Sequence, residues 1–172
     1  MIVLFGLAGS GKSTQGKILA EDKGWKWLSV GEVLRNTGKF DEILKAGELV
    51  DDMEVVKLMD EEIKKAKAEG FDIVLDGYPR DIVQAEWLAA NNKLGDFRKA
   101  IYLEVPKEIL LERIEGRGRA DDTDEVIKKR FQIVEQNICS ILSLLEQSGV
   151  EIIKMDGTGT IEEVNKRIQE VI

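Results

Sequence analysis

Hydrophobic positions along this chain fall into two alternating patterns. Short apolar-rich runs, Ile2 to Phe5, Trp25 to Leu28, Phe71 to Asp76, Ala100 to Val105 and Val150 to Met155, predict strands, the first of them unbroken and closed by Gly6. The continuous Ile-Val-Leu-Phe run of residues 2–5 is the mark of a strand covered on both faces. Between them the apolar residues take helical spacing. Val56, Met59, Ile63 and Ala66 stand three, four and three apart and predict a helix over 52–68, stopped at Gly70. Ile127, Phe131, Val134, Ile138, Ile141 and Leu145 repeat at four, three, four, three and four, predicting the longest helix over about 123–147. Other helices are expected from Ile18 and Leu19 to a stop at Gly24, from about Asp81 to Asn91, after Pro106 as a first-turn proline, and from Ile161 to Ile172. From Val30 to Gly47 the apolar clusters are small and broken, which predicts a short helical excursion outside the core.

Five apolar runs separated by helical segments imply right-handed crossovers. The expected fold class is α/β, a five-stranded parallel sheet with helices on both faces. No repeat, low-complexity stretch or linker divides the 172 residues, so one domain is expected over 1–172. Hydrophobic residues at 43% and charged residues at 34% exclude disorder and a membrane bundle. The opening Met-Ile-Val-Leu-Phe run is too short for a span and has no basic leader, so a cytoplasmic protein is expected. The balance of 25 basic against 33 acidic residues gives −8, which opposes nucleic acid and anionic membrane as partners. Any anion therefore needs a local site. Cys139 is the sole cysteine and there is no histidine, so a Cys/His zinc site is excluded and the thiol is expected to serve packing.

The local anion site is evident. Gly6-Leu7-Ala8-Gly9-Ser10-Gly11-Lys12-Ser13 fits the phosphate-binding loop G-x-x-x-x-G-K-[ST] at every fixed position, between a strand and a helix. Such glycines let successive N–H groups turn inward around phosphate oxygens at a helix N-terminus, with Lys12 reaching the outer phosphates and the Ser13 hydroxyl offered to magnesium. Asp76 closes the run Ile73-Val74-Leu75, which puts a carboxylate at the edge where open α/β sheets bind ligands. A magnesium role, direct or through water, is expected for it. Arg80 follows in the same loop. Arg113 and Arg117 are four apart on one helical face, Arg119 follows after a glycine, and Arg130 lies on the long helix. With Arg35 they supply bidentate donors for a polyphosphate and a transferring phosphoryl group, against the alternative of solvated surface charge.

Four blocks in order, GLAGSGKSTQ (6–15), LSVGEVLR (28–35), LDGYPRDIVQ (75–84) and 112–131 with RGRADDT and IKKRF, followed by DGTGTIEEV, carry a resemblance. The chain resembles the adenylate kinases of the nucleoside monophosphate kinase family from end to end. The resemblance implies the P-loop nucleoside monophosphate kinase fold and reversible Mg-dependent transfer from ATP to AMP, giving two ADP. It implies Lys12, Arg80, Arg117, Arg119 and Arg130 as catalytic residues. The ATP side would comprise Gly9, Ser10, Gly11, Lys12, Ser13, Thr14, Arg113 over the base, Arg117, and the 156–160 loop with Gly159. The AMP side would comprise Val30, Arg35, Glu48, Leu49, Val50, Gly77, Tyr78, Pro79, Arg80, Gln84 reading the adenine, Arg119 and Arg130. A monomer is expected.

Three departures from the family pattern qualify what it implies. Val30 stands where adenylate kinases usually have threonine, and UMP/CMP kinases carry a small apolar residue there but tend to have asparagine in place of Gln84. UMP/CMP kinase is therefore the alternative, and AMP leads on Gln84. About twelve residues separate Arg35 from Gly47, so the monophosphate-binding excursion, residues 30–50 and on to about 60, is trimmed. The lid is reduced to 117–122, with no cysteine-bearing zinc segment. A nucleotide-hydrolysing assembly factor on the same fold is the alternative from another class.

Overall fold

The computed structural model describes residues 1–91, 97–117 and 122–172, and of Arg117 the backbone alone. Five strands form one parallel sheet in the order β2-β3-β1-β4-β5: β1 Ile2–Phe5, β2 Lys26–Ser29, β3 Ile73–Asp76, β4 Lys99–Glu104 and β5 Glu151–Asp156. The four residues of β1 and of β3 are all buried, as unbroken apolar runs require. Alternate side chains of β1 serve opposite faces. Val3 and Phe5 join one apolar cluster, Ile2 and Leu4 another.

The helices are α1 Lys12–Lys23, α2 Val30–Thr37, α3 Asp41–Lys45, α4 Asp52–Ala68, α5 Ile82–Asn91, α6 Lys107–Arg117, α7 Asp124–Gln147 and α8 Ile161–Gln169. Residues from α2, α4, α5 and α7 cover the first face, and residues from α1 and α8 the second. No helix among the described residues is long and apolar enough to cross a membrane. Helix starts are chemically marked. Asp51 accepts from the N–H groups of Met53 and Glu54 at the head of α4, Thr123 caps α7, and Thr160 with Glu163 forms a reciprocal capping box on α8.

Several expectations need correction. Helix α1 begins at Lys12, six residues before Ile18, because its first turns carry polar residues whose job lies outside the core. Strand β2 is shifted one residue from the Trp25–Leu28 run and α8 stops at Gln169, whereas α6 follows Pro106 as expected, the proline carbonyl accepting the N–H of Leu110. The excursion after Val30 is not outside the core. Val30, Leu34 and Phe40 are 1%, 2% and 4% exposed and pack in the cluster that holds Val55 and Met59 of α4. Val30 and Leu34, four apart, give the two-turn helix α2 one inward edge, too short to register as periodicity. Cys139 is exposed instead of packed, because Ile138 and Ile141 take the inward positions of α7.

Candidate active site

The loop from β1 to α1 passes along the C-terminal edge of the sheet, beside the end of β3. Gly11 caps α1 at φ 91°, and Gly9 comes so close to α6 that a Cβ there would lie 2.7 Å from the Leu110 carbonyl oxygen. Only glycine fits both conditions. Lys12 donates to the Leu7 carbonyl at 3.1 Å, bending its ammonium back over the loop.

Two cavities meet at this loop. One is lined by the consecutive residues Gly9 to Gln15, by Arg113 of α6, and by Gly157, Gly159, Thr160 and Ile161. Arg113 donates to the carbonyls of Gly157 at 3.1 Å and Gly159 at 3.3 Å, which ties α6 to the loop after β5. The other is lined by Arg35, Asp76, Gly77, Pro79, Arg80 and Arg130, with Leu44, Gly47, Glu48 and Leu49 along one side. Lys12 and Ser13 line both.

The second cavity concentrates positive charge. Burial brings the Arg80 guanidinium down to about 10, with Asp76 opposing the shift and Arg130 and Arg35 adding to it. Arg80 stays charged at neutral pH, and its neighbours crowd it with like charge that an entering anion would relieve. Its Nε donates to the Gly77 carbonyl at 3.0 Å, and its own carbonyl accepts from Asn137 of α7 at 3.2 Å. Arg130 pairs with Asp122 at 2.9 Å and donates to the Leu44 carbonyl at 3.3 Å. Lys129 reaches the Ala46 carbonyl and Glu48, and a Cβ on Gly47, which lies at φ 70°, would sit 3.0 Å from Val126. Helix α7 thus grips the segment after α3.

Asp76 is 1% exposed, and neither carboxylate oxygen has a hydrogen-bond partner among the described residues. A buried anion left without donors is a ready ligand for a hard cation, and Ser13 lines the same cavity. The donor set fits magnesium.

These contacts bring together most of the residues expected from sequence, but not all. Val30, Val50, Tyr78 and Gln84 lie behind the cavity wall at 1%, 4%, 0% and 1% exposure. Arg119 and the expected lid from 118 to 121 lie outside the described residues, as does the side chain of Arg117.

The adenylate kinase family model matches residues 4–150. The chain belongs to the adenylate kinase family. Among curated relatives bearing that name, one from Prochlorococcus marinus is 35% identical over 183 aligned residues, covering 99% of this chain and 97% of its own. Another from Maricaulis maris is 35% identical over 179, covering 95% and 93%. A third from Xanthomonas oryzae pv. oryzae is 34% identical over 186, covering 99% and 98%.

Within this adenylate kinase fold, sequence reasoning missed several residues of the second cavity. Lys17, Trp27 and Glu32 line it: the Lys17 ammonium lies 4.4 Å from the Trp27 ring centroid and 3.6 Å from Glu32. Trp27 is legible only as part of a strand, and a lysine on α1 looks like any solvated helix charge. Asn137 and Asp52, which hold Arg80 and Gln84 by hydrogen bonds at 3.2 and 3.0 Å, carry no signal in the sequence at all.

Proposed function

We propose that this chain catalyses reversible magnesium-dependent phosphoryl transfer from ATP to AMP, giving two ADP. One observation carries the reading: two cavities share Lys12 and Ser13, so a donor in one and an acceptor in the other would face each other across the phosphate loop. Family membership and the crowded arginines of the second cavity support the same assignment.

In this reading Gly9 to Thr14 cradle the donor phosphates with backbone N–H groups, Arg113 and the Gly159 loop flank its base, and Arg117 joins them. Arg35 and Arg80 hold the acceptor phosphate, Glu48, Leu49 and Val50 flank the nucleoside, and Gln84 reads its base beside Val30, Gly77, Tyr78 and Pro79. Lys12, Arg80, Arg119 and Arg130 neutralise the oxygens of the group in flight. The acceptor's own phosphate oxygen is the nucleophile, so no protein base is required, and catalysis consists of placement and electrostatics. Ser13 and Asp76 would hold magnesium, directly or through water, where it supplies charge neutralisation for the donor phosphates. The whole chain acts as one domain, with 30 to about 60 as the monophosphate-binding excursion and 117–122 as a minimal lid. It works as a cytoplasmic monomer on free nucleotides, without nucleic acid or membrane, in keeping with its net charge of −8.

Magnesium-dependent ADP formation, measured with AMP, UMP, CMP or no acceptor, tests the assignment. Formation that requires AMP upholds it. Preference for UMP or CMP reassigns the acceptor, and equal ADP formation without any acceptor replaces the kinase with a nucleotide hydrolase.

A further inference from the structure

The Gln84 amide is fixed at both ends. Its Oε1 accepts the Arg80 backbone N–H at 2.9 Å and its Nε2 donates to Asp52 Oδ1 at 3.0 Å. A turned amide would set oxygen against the Asp52 carboxylate and NH2 against an N–H, so only one orientation satisfies both neighbours. The Gln84 backbone N–H donates to Asp81 Oδ1 at 2.9 Å, which anchors the first turn of α5. The other Asp81 oxygen is buried without a hydrogen-bond partner among the described residues, and Asp52 is the carboxyl that acts on it. Burial, followed by the neighbouring Asp52 carboxyl, raises the Asp81 carboxyl to about 6, against the lowering effect of the Gln84 N–H. Two acidic side chains from the heads of α4 and α5 therefore converge on one glutamine.

An amide has two donor and two acceptor positions. With one of each taken by protein, Gln84 keeps one lone pair on Oε1 and one N–H on Nε2. A 6-aminopurine presents the complement, an exocyclic N–H next to a ring nitrogen acceptor, whereas a 6-oxopurine presents the reverse. At 1% exposure the amide can meet a base only when the groups covering it yield, so its orientation has to be set by the protein beforehand.

We propose that Asp52 and Asp81 are positioning residues that hold the Gln84 amide in one orientation and thereby select a 6-amino over a 6-oxo purine monophosphate as acceptor. The proposal rests on the reading in which Gln84 meets the acceptor base. Neither carboxylate touches the reacting atoms. Asp52 acts through the side-chain amide, and Asp81 through the backbone N–H.

The test compares kcat/KM for AMP and IMP, with ATP as donor, in the wild type and in Asp52→Ser, Asp52→Asn and Gln84→Ala, each checked for folding by circular dichroism. In Asp52→Ser the AMP-to-IMP ratio is expected to fall about tenfold, through the KM of the acceptor, with the KM of ATP unchanged. Asp52→Asn, whose side-chain oxygen still accepts from Nε2, restores most of the ratio. A merely structural role would lower both acceptors together and shift the ATP KM. If Asp52→Ser does not fold, Asp52→Asn set against Asp52→Ala gives the same comparison. A folded Asp52→Ser or Asp52→Ala that keeps the wild-type ratio, while Gln84→Ala loses it, overturns the positioning role and leaves the base reading intact. Gln84→Ala that keeps the ratio overturns the base reading, and this proposal with it.

Discussion

The two cavities that meet at Lys12 are built in opposite ways. The cavity we assign to the donor comes mostly from one continuous stretch, Gly9 to Gln15, and its arginine is already satisfied: Arg113 donates to two backbone carbonyls. The cavity we assign to the acceptor is assembled from α1, β2, α2, the segment after α3, the loop after β3, and α7. There Arg130 is held by Asp122 and Arg80 by the Gly77 carbonyl, yet burial first, and then the like charges of Arg130 and Arg35, act against the charge on Arg80. A contiguous site whose charges are internally paired binds by shape and backbone N–H groups. A composite site with crowded like charges stores its affinity for the anion that arrives. The electrostatic work of catalysis should therefore concentrate on the acceptor side and at the junction.

The largest effect is expected at the junction itself. Lys12→Met should lower kcat by on the order of 10³-fold, since Lys12 borders both cavities. Arg80→Ala should follow, with kcat/KM for AMP down by about 10²- to 10³-fold while ATP binding, read by calorimetry, hardly changes. Arg113→Ala should reverse the pattern and cost less. The KM of ATP should rise about tenfold with kcat nearly kept, and equal losses from Arg80→Ala and Arg113→Ala would erase the contrast between the sides.

Two predictions concern the scaffold of the acceptor side. Phe40, 4% exposed and in the main core cluster, should cost about 3–5 kcal/mol on Phe40→Ala in urea unfolding, the loss of a core residue and not of a surface excursion. The smallest effect is pH-dependent. Asp81 sits at about 6 in the folded protein against 3.8 as its ordinary value, so between these the folded state binds the proton more tightly. Stability from this group is present below about 3.8 and is lost as pH rises through about 6. Asp81→Asn should raise Tm at pH 8 and leave it nearly unchanged near pH 4, and the opposite ordering would show that the carboxyl is not held protonated.

The same contrast explains what the sequence disclosed. Residues 6–13 point to the donor side because its ligands are neighbours in the chain, and Ile2–Phe5 and Ile73–Asp76 announce the sheet because burial on both faces leaves no polar alternation. Arg35, Arg80 and Arg130 can be suspected individually, and the structure brings them to one cavity. Lys17, Trp27 and Glu32 cannot be suspected, because their meeting depends on how α1, β2 and α2 pack. Val30, Leu34 and Phe40 look peripheral in the sequence because a helix of two turns shows too few apolar positions to reveal its buried edge. Gln84 is the instructive case, since its type and place suggest contact with a base, whereas the carboxylates that orient it come from 32 residues away and from its own helix start.

Direct transfer between the two cavities is the central claim, and following the terminal phosphate tests it most directly. With ATP carrying a labelled γ-phosphate, magnesium and AMP, the label should appear in ADP, two ADP should form for each ATP consumed, and little should be released as inorganic phosphate. Label released as inorganic phosphate at the same rate with and without AMP would contradict direct transfer.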